Sequence, residues 1–291
     1  MSKPFLVVNP RAGDQSPTAA ELKAEAERTG IEAHALAAGE DPAELAARAA
    51  SAGAAALGVA GGDGSLGPVA AVAVDQEIPF VCVPFGTRNH FARDLGLDPD
   101  DPLAALAAFR GRERAVDVGT VDGRTFVNNV SLGIYASFVH DPRRKTRNRV
   151  LAGLRMAPAA LGRGRRPLRL SFELEGRREE HAALVVLVAN NGYDLRSLAD
   201  LGERTRLDEG LLHAYVIEAV SRRTLLGLLL RTAAGAAERA DGLVERQAMR
   251  FRLQADRART HAAIDGEPAV LGSPLEFEVR PRALRVLLPA P

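Results

Sequence analysis

The stretch richest in chemistry is Gly61-Gly62-Asp63-Gly64-Ser65, where a lone carboxylate sits among glycines. A short apolar strand, Leu57-Gly58-Val59-Ala60, runs straight into it, and an alanine- and valine-rich helical stretch is expected from Pro68 to Val74. Glycines at 61, 62 and 64 allow positive φ and leave no Cβ in the way, so backbone N–H groups can converge on an anion at a helix N-terminus. The chemistry on offer is phosphate binding. Asp63 at the centre would repel a phosphate unless a cation lies between them, which points to Mg²⁺ with a nucleotide. The same residues also suit a plain glycine-rich turn capped by Asp or Ser.

Two more polar loops follow strands in the same way. Phe5-Leu6-Val7-Val8 empties into Asn9-Pro10-Arg11-Ala12-Gly13, and the strand from Pro79 to Val83 into Pro84-Phe85-Gly86-Thr87-Arg88-Asn89-His90. Thr87 and Asn89 also fit a helix N-cap after Gly86.

Alternating elements carry these loops. Pro17 to Arg28 has a helical pattern stopped by Gly30, Ile31 to Leu36 is a strand, and Asp41-Pro42 caps a helix that continues to Ala52. Asp101-Pro102 opens one more helix, which ends near Gly111. Residues 1–113 therefore form an α/β domain with an open parallel sheet, and its ligands should gather at the carboxyl ends of the strands. From 114 to 291 the pattern is antiparallel β, with hairpin turns at Asp122-Gly123, Glu175-Gly176 and Asp265-Gly266. Helical insertions are expected at about 147–161 and 221–239.

Composition narrows the partners. The chain has 291 residues and a net charge of +1, so no overall basic field argues for nucleic acid. Its one cysteine, Cys82, excludes an internal disulfide and reads as a buried thiol in a reducing compartment. No stretch reaches the roughly 20 apolar residues of a membrane span, and the N-terminus lacks an apolar leader, so a cytoplasmic protein with at most peripheral membrane contact is expected.

Taken in order, Asn9-Pro10-x-x-Gly13, Gly61-Gly62-Asp63-Gly64-Ser65, Pro84-x-Gly86-Thr87-x-Asn89 and Asp265-Gly266-Glu267 resemble the diacylglycerol kinase catalytic-domain family, which includes bacterial soluble lipid kinases and sphingosine kinases. The resemblance spans nearly the whole chain. It implies an ATP-binding α/β domain followed by a β-sandwich domain, with the active site in the cleft between them. It also implies that ATP is bound by Asn9, Pro10, Arg11, Ala12 and Gly13, by the loop Gly61, Gly62, Asp63, Gly64, Ser65, Leu66 and Gly67, and by Thr87 and Asn89. Asp265 and Glu267 correspond to the catalytic acidic pair, with Asp63 as a third carboxylate. A carboxylate within hydrogen-bond reach of a lipid hydroxyl can accept its proton while Mg²⁺ holds the phosphates in line. Asp265-Gly266 is at the same time a favoured hairpin turn that needs no catalysis. Asp117 either joins the carboxylate network or faces water from an edge strand.

Leu207-Asp208-Glu209-Gly210-Leu211 resembles the family's structural magnesium loop. The resemblance maps the metal's main-chain carbonyls to Arg206 and Leu211 and its carboxylate to Glu209, where the family usually has Asp; a plain turn reads equally well. Other departures are His90 in place of Asp, and Gly67-Pro68 in place of Asn-Glu. Histidines 34, 140, 181, 213 and 261 read as surface residues. Arginines and Lys145 between 143 and 166 form a basic run suited either to an anionic leaflet or to a solvated helix face, and leucines from 225 to 230 to a core helix or an acyl-chain slot. The expected function is an ATP- and Mg²⁺-dependent lipid kinase acting on a lipid substrate at a membrane surface, with a homo-oligomer compatible with the sequence. The alternatives are a catalytically weak nucleotide- or lipid-binding homologue and a small-molecule kinase of the NAD type.

Overall fold

The computed structural model describes residues 2–12, 16–87, 89–133, 167–174, 176–194, 204–218 and 242–290. Gly13, Arg88, Glu175, the basic run and both helical insertions with the leucine cluster lie outside these described residues. The chain forms two compact units, residues 1–118 with 280–291, and residues 119–279.

The first unit alternates strand and helix: β1 (Phe5–Val8), α1 (Ala19–Arg28), β2 (Glu32–Ala35), α2 (Pro42–Ser51), β3 (Leu57–Gly61), α3 (Asp63–Asp75), β4 (Phe80–Pro84), α4 (His90–Asp94) and α5 (Pro102–Ala105), followed by a 3-10 turn, Leu106–Arg110. Local chemistry sets the helix starts. Thr18 and Glu21 close a capping box on α1, and Asp41 accepts the Ala43 N–H at 2.8 Å with Pro42 in the first helical position of α2. Strands β2, β1, β3 and β4 are parallel neighbours in that order. Leu6, Val8, Ala60, Val81 and Val83 pack against Leu22 and Ala26 of α1 and against Ala105, Leu106 and Ala108. By strand alternation Val7, Val59 and Cys82 point the other way, and α2 and α3 contact β1 and β3. Both faces being covered explains why these strands read as unbroken apolar runs.

Helix α3 begins at Asp63, five residues earlier than the sequence pattern places it. Glycine's weak helix propensity delays the expected start, but Leu66 and Gly67 are buried, and that packing draws the first turn into the helix.

The second unit is antiparallel: β6 (Arg124–Phe126), β7 (Asn129–Gly133), β8 (Leu168–Leu174), β9 (Arg177–Asn190), β10 (Leu212–Glu218), β11 (Leu243–Ala248), β12 (Arg250–Ala255), β13 (Arg259–Ile264) and β14 (Glu267–Gly272). The long β9 organises it. Its first half pairs with β8 and its second half with β7, while β10 runs along the opposite edge and β11 beyond that. Phe126, Leu132, Phe172, Val186, Leu212, Phe251, Leu253 and Phe277 fill one core between the inward faces of this β-sandwich.

Two strands belong to both units. The chain passes from the first to the second within β5 (Arg112–Val121) and returns within β15 (Leu275–Leu288), whose Val286 pairs in parallel with Phe80 of β4. Residues 280–291 keep the period-2 pattern of the strands before them, so the change of pattern at 113 carries no sign of this return.

Candidate functional site

All three polar loops of the first unit leave the carboxyl ends of adjacent parallel strands, and they bind one another. The Asn9 Nδ2 donates to Ser65 Oγ at 2.9 Å, and Asn9 Oδ1 accepts the Arg11 N–H at 3.0 Å. Gly62 is the N-cap of α3, a 13-residue helix, and, having no side chain, makes no side-chain capping bond. The loop after β4 lies directly on it. A Cβ on Gly86 would come within 2.3 Å of the Gly62 Cα, so the close approach requires glycine at 86, whereas a Cβ on Gly62 would stand 3.7 Å from the Gly86 Cα, an ordinary contact. Asn89, buried and in the left-handed region at φ 50°, accepts from Gly86 N–H and donates to the Gly86 carbonyl, both at 2.9 Å. It stands at the N-cap position of α4 but makes no side-chain capping bond. That role falls to Asp63, whose two oxygens accept the His90 and Phe91 N–H groups at 3.3 Å each. The Asp63 charge, after the larger effect of full burial, also pushes the Cys82 thiol upward from its ordinary range. Thr87 is exposed.

Asp117 does not face water. It is buried, and its Oδ1 accepts the Arg282 N–H at 2.7 Å where the backbone takes a positive φ of 51°.

In the second unit, Asp265 and Gly266, at φ 47° and 85°, form the tight turn between β13 and β14. Asp265 is more than a turn residue. Buried to 6% exposure, its Oδ2 accepts the Val127 N–H at 2.9 Å, and its Oδ1 accepts those of Asn128 and Asn129 at 2.8 and 3.0 Å. Three of the roughly four lone-pair positions of the carboxylate are thereby engaged by one backbone segment. Glu267, two residues on, is exposed and accepts no hydrogen bond from the described residues.

The carbonyl side of the same segment is held by Arg204, 4% exposed. Its Nη1 donates to the Val127 and Asn190 carbonyls at 2.7 and 2.8 Å, and its Nη2 to Asn128 Oδ1 at 2.7 Å. Asn190 adds a bond to the Val127 carbonyl at 3.2 Å. The segment 127–129 is thus gripped at its N–H groups by a carboxylate and at the Val127 carbonyl and the Asn128 side chain by a guanidinium.

The loop after Arg204 brings Glu209 to His213. Glu209 Oε2 accepts the Gly192 N–H at 3.0 Å and lies 3.1 Å from His213 Nε2, while His213 Nδ1 lies 2.9 Å from Glu245 Oε1. The ring donates to both carboxylates only with a hydrogen on each nitrogen. The His213 bond draws the Glu245 carboxyl below its usual range. Burial pushes the Tyr215 phenol upward, although its hydroxyl accepts the Tyr193 N–H at 3.0 Å. His213 is buried, and so is the His181 side chain, at 8% exposure. Both depart from the surface position expected of them, because each lies within the sandwich beside a carboxylate. Of the expected metal ligands, the Leu211 carbonyl accepts the Asn191 N–H at 3.1 Å, and the exposed side chain of Arg206, whose carbonyl is the expected ligand, reaches Asp208 at 3.4 Å. Among the described residues, no three His, Cys, Asp or Glu side chains converge as a metal cluster.

With the loops and their geometry established, comparison with known proteins gives the family. The model of the diacylglycerol kinase catalytic domain matches residues 3–121, and that of the YegS C-terminal NAD kinase beta sandwich-like domain matches residues 138–288. A Pseudomonas fluorescens protein named "Probable lipid kinase YegS-like" is 32% identical over 252 residues, spanning 86% of this chain and 82% of its own. The chain belongs to the diacylglycerol kinase catalytic-domain family. Another relative, named "Diacylglycerol kinase", from Bacillus subtilis, is 25% identical over 75% of this chain and 74% of its own. The fold agrees with a Bacillus anthracis crystal structure described as a diacylglycerol kinase, at a TM-score of 0.68 and 18% identity over 99% of this chain and 97% of that one. A second structure from that organism reaches 0.76 at 20% identity, with the same coverage. Membership makes the chain a kinase-family phosphotransferase, and no helix among the described residues is long and apolar enough to cross a membrane.

Sequence reasoning missed Arg204, Asn128, Asn190 and His213. The available signal was the pairing of asparagines at strand ends, Asn128-Asn129 and Asn190-Asn191, where buried amides need partners. Nothing in the local pattern names an arginine 14 residues beyond Asn190 as that partner.

Proposed function

We propose that this chain is an ATP- and Mg²⁺-dependent lipid kinase that transfers the γ-phosphoryl group to a hydroxyl of diacylglycerol or a related lipid. The observation that carries the reading is the N-terminus of α3, whose glycine N-cap makes no side-chain capping bond, set at the carboxyl edge of the parallel sheet. An anion there meets backbone donors and the positive end of the helix dipole, worth about 0.3–1 kcal/mol at an exposed site. The names of the relatives support a lipid acceptor.

Residues of this chain fit a nucleotide at that edge. The resemblance sets Asn9 to Gly13 and Gly61 to Gly67 around it; because the Asn9, Arg11 and Ala12 N–H groups bond within the protein and Pro10 has none, the backbone donors come from the start of α3, and Thr87 supplies an exposed hydroxyl. Asn89 shapes its loop, and the Gly62–Gly86 contact leaves bare backbone for phosphate to approach. When bound, the nucleotide supplies the phosphoryl group and Mg²⁺ neutralises its charge. Asp63 orients α4 through two N–H bonds and stays near the phosphate site. Among the acidic pair, Glu267 takes the proton of the lipid hydroxyl, because its carboxylate is exposed and uncommitted. Asp265 holds the hairpin that carries Glu267. The acceptor lipid is met at a membrane surface by peripheral contact from the cytoplasm.

The test is transfer of label from ATP to diacylglycerol in mixed micelles with Mg²⁺. Transfer by wild type, reduced roughly 10²–10⁴-fold in Glu267→Gln, supports the reading. Absence of transfer to any lipid overturns it, and transfer to NAD instead would place the chain among small-molecule kinases. One observation favours a second reading, a nucleotide-binding homologue without turnover: the Asp63 carboxylate is already engaged by the α4 backbone. Thermal stabilisation by ATP with no phosphate transfer would decide for it.

A further inference from the structure

The resemblance implies a structural Mg²⁺ on the carbonyls of Arg206 and Leu211 and the carboxylate of Glu209. Mg²⁺ requires near-octahedral oxygen ligands at about 2.0–2.1 Å, with lone pairs turned toward the metal. In this chain two of those groups, the Glu209 carboxylate and the Leu211 carbonyl, accept protein donors instead. Glu209 Oε2 takes the Gly192 N–H at 3.0 Å and His213 Nε2 at 3.1 Å, and the Leu211 carbonyl takes the Asn191 N–H at 3.1 Å. The Asn191 Oδ1 in turn accepts the Glu209 N–H at 2.9 Å, so the backbone of the loop is tied down without a metal.

His213 fills the space against this loop. A Cβ on Gly192 would stand 2.7 Å from His213 Cε1, Tyr215 stacks on the other side at 6.2 Å between ring centroids, and Glu245 of β11 meets the second ring nitrogen at 2.9 Å. Both ring nitrogens are therefore directed at carboxylates, one from the loop and one from a neighbouring strand. A divalent cation seeking Glu209 Oε2 would compete with a buried donor fixed to β10.

We infer that the His213 imidazole, clamped between Glu209 and Glu245, closes the 204–211 loop in the place where the resemblance puts a divalent cation, and that the fold of this loop is metal-independent. The inference does not rest on the kinase reading, since every group in it lies in the second unit and the readout is stability.

The experiment is thermal unfolding of the full chain without nucleotide, in excess EDTA and with added MgCl₂ or CaCl₂. A loop cation present at a hundred times its Kd would raise the melting temperature by roughly 5–10 °C. The expected wild-type change is below about 1 °C, while His213→Ala and Glu245→Gln each lower the melting temperature by roughly 3–8 °C in EDTA and in Mg²⁺ alike. A wild-type rise with metal that Glu209→Gln abolishes overturns the inference. So does an unchanged melting temperature in both His213→Ala and Glu245→Gln. A metal-dependent rise that survives Glu209→Gln comes from another cation site and agrees with it. If His213→Ala fails to fold, Glu245→Gln, at a half-exposed side chain, carries the test.

Discussion

Replacing Asp265 by Asn should destabilise the second unit as well as impair catalysis. Asn tolerates the left-handed φ of 47°, so backbone strain is not introduced. What changes is the hydrogen bonding. The amide oxygen can keep the Asn128 and Asn129 N–H groups, but the NH₂ then faces the Val127 N–H, donor against donor, across the former 2.9 Å bond. One buried donor left unpaired costs about 1–3 kcal/mol, and converting two charge-assisted bonds to neutral ones costs about 1 kcal/mol each. The sum is roughly 3–5 kcal/mol, a large part of the 5–15 kcal/mol that holds a typical domain together. In a unit of this size that corresponds to a fall of roughly 6–20 °C. Glu267→Gln, at an exposed carboxylate without a described partner, should stay within about 0.5 kcal/mol of wild type. Scanning calorimetry on both variants, paired with the phosphoryl-transfer assay, separates the two roles. Asp265→Asn should lose activity and stability together, and Glu267→Gln activity alone. An Asp265→Asn protein that melts within about 1 °C of wild type would refute the claim that its carboxylate grips segment 127–129.

Three further outcomes are expected. Gly86→Ala would force its Cβ to 2.3 Å from the Gly62 Cα, so overpacking of about 1–3 kcal/mol and loss of the ATP-induced thermal shift should appear together. Arg204→Met leaves the acceptors of Val127, Asn190 and Asn128 without their guanidinium and should cost about 2–4 kcal/mol in urea unfolding. Arg204→Lys should not recover it, because an ammonium lacks the planar fork, and Arg204→Met combined with Asp265→Asn should be non-additive because both hold one segment. Cys82 should resist iodoacetamide in the folded protein and react fully in denaturant, as followed by mass. Its thiol is raised from an ordinary value of 9.0 by burial and by Asp63, so the stability it contributes is whole below about pH 9 and falls as pH rises past that value, where only the unfolded chain ionises. An alkaline limb of the unfolding curve that shrinks in Cys82→Ala is the corresponding measurement.

Much of this protein was legible in its residues because the signals were local. The capped start of α2, the strands β1 and β3, and the Asp-Gly turns at 122 and 265 each depend on a few neighbouring side chains and are legible in them, whereas the Thr18–Glu21 capping box of α1 emerges only in the structure. The three loops at one sheet edge followed from strand order in a parallel sheet, which constrains where carboxyl ends lie. Tertiary structure decided the rest. Asp63 caps a helix 27 residues away, Asp265 binds a segment more than 130 residues earlier, and His213 sits between two carboxylates from different elements. Sequence by itself determined which residues were able to do chemistry, since residue type and local backbone preference are properties of a short stretch. Which of them are tied up in holding the fold, and which stand free to react, was settled only when distant backbone donors came within about 3 Å, the range at which a hydrogen bond exists at all.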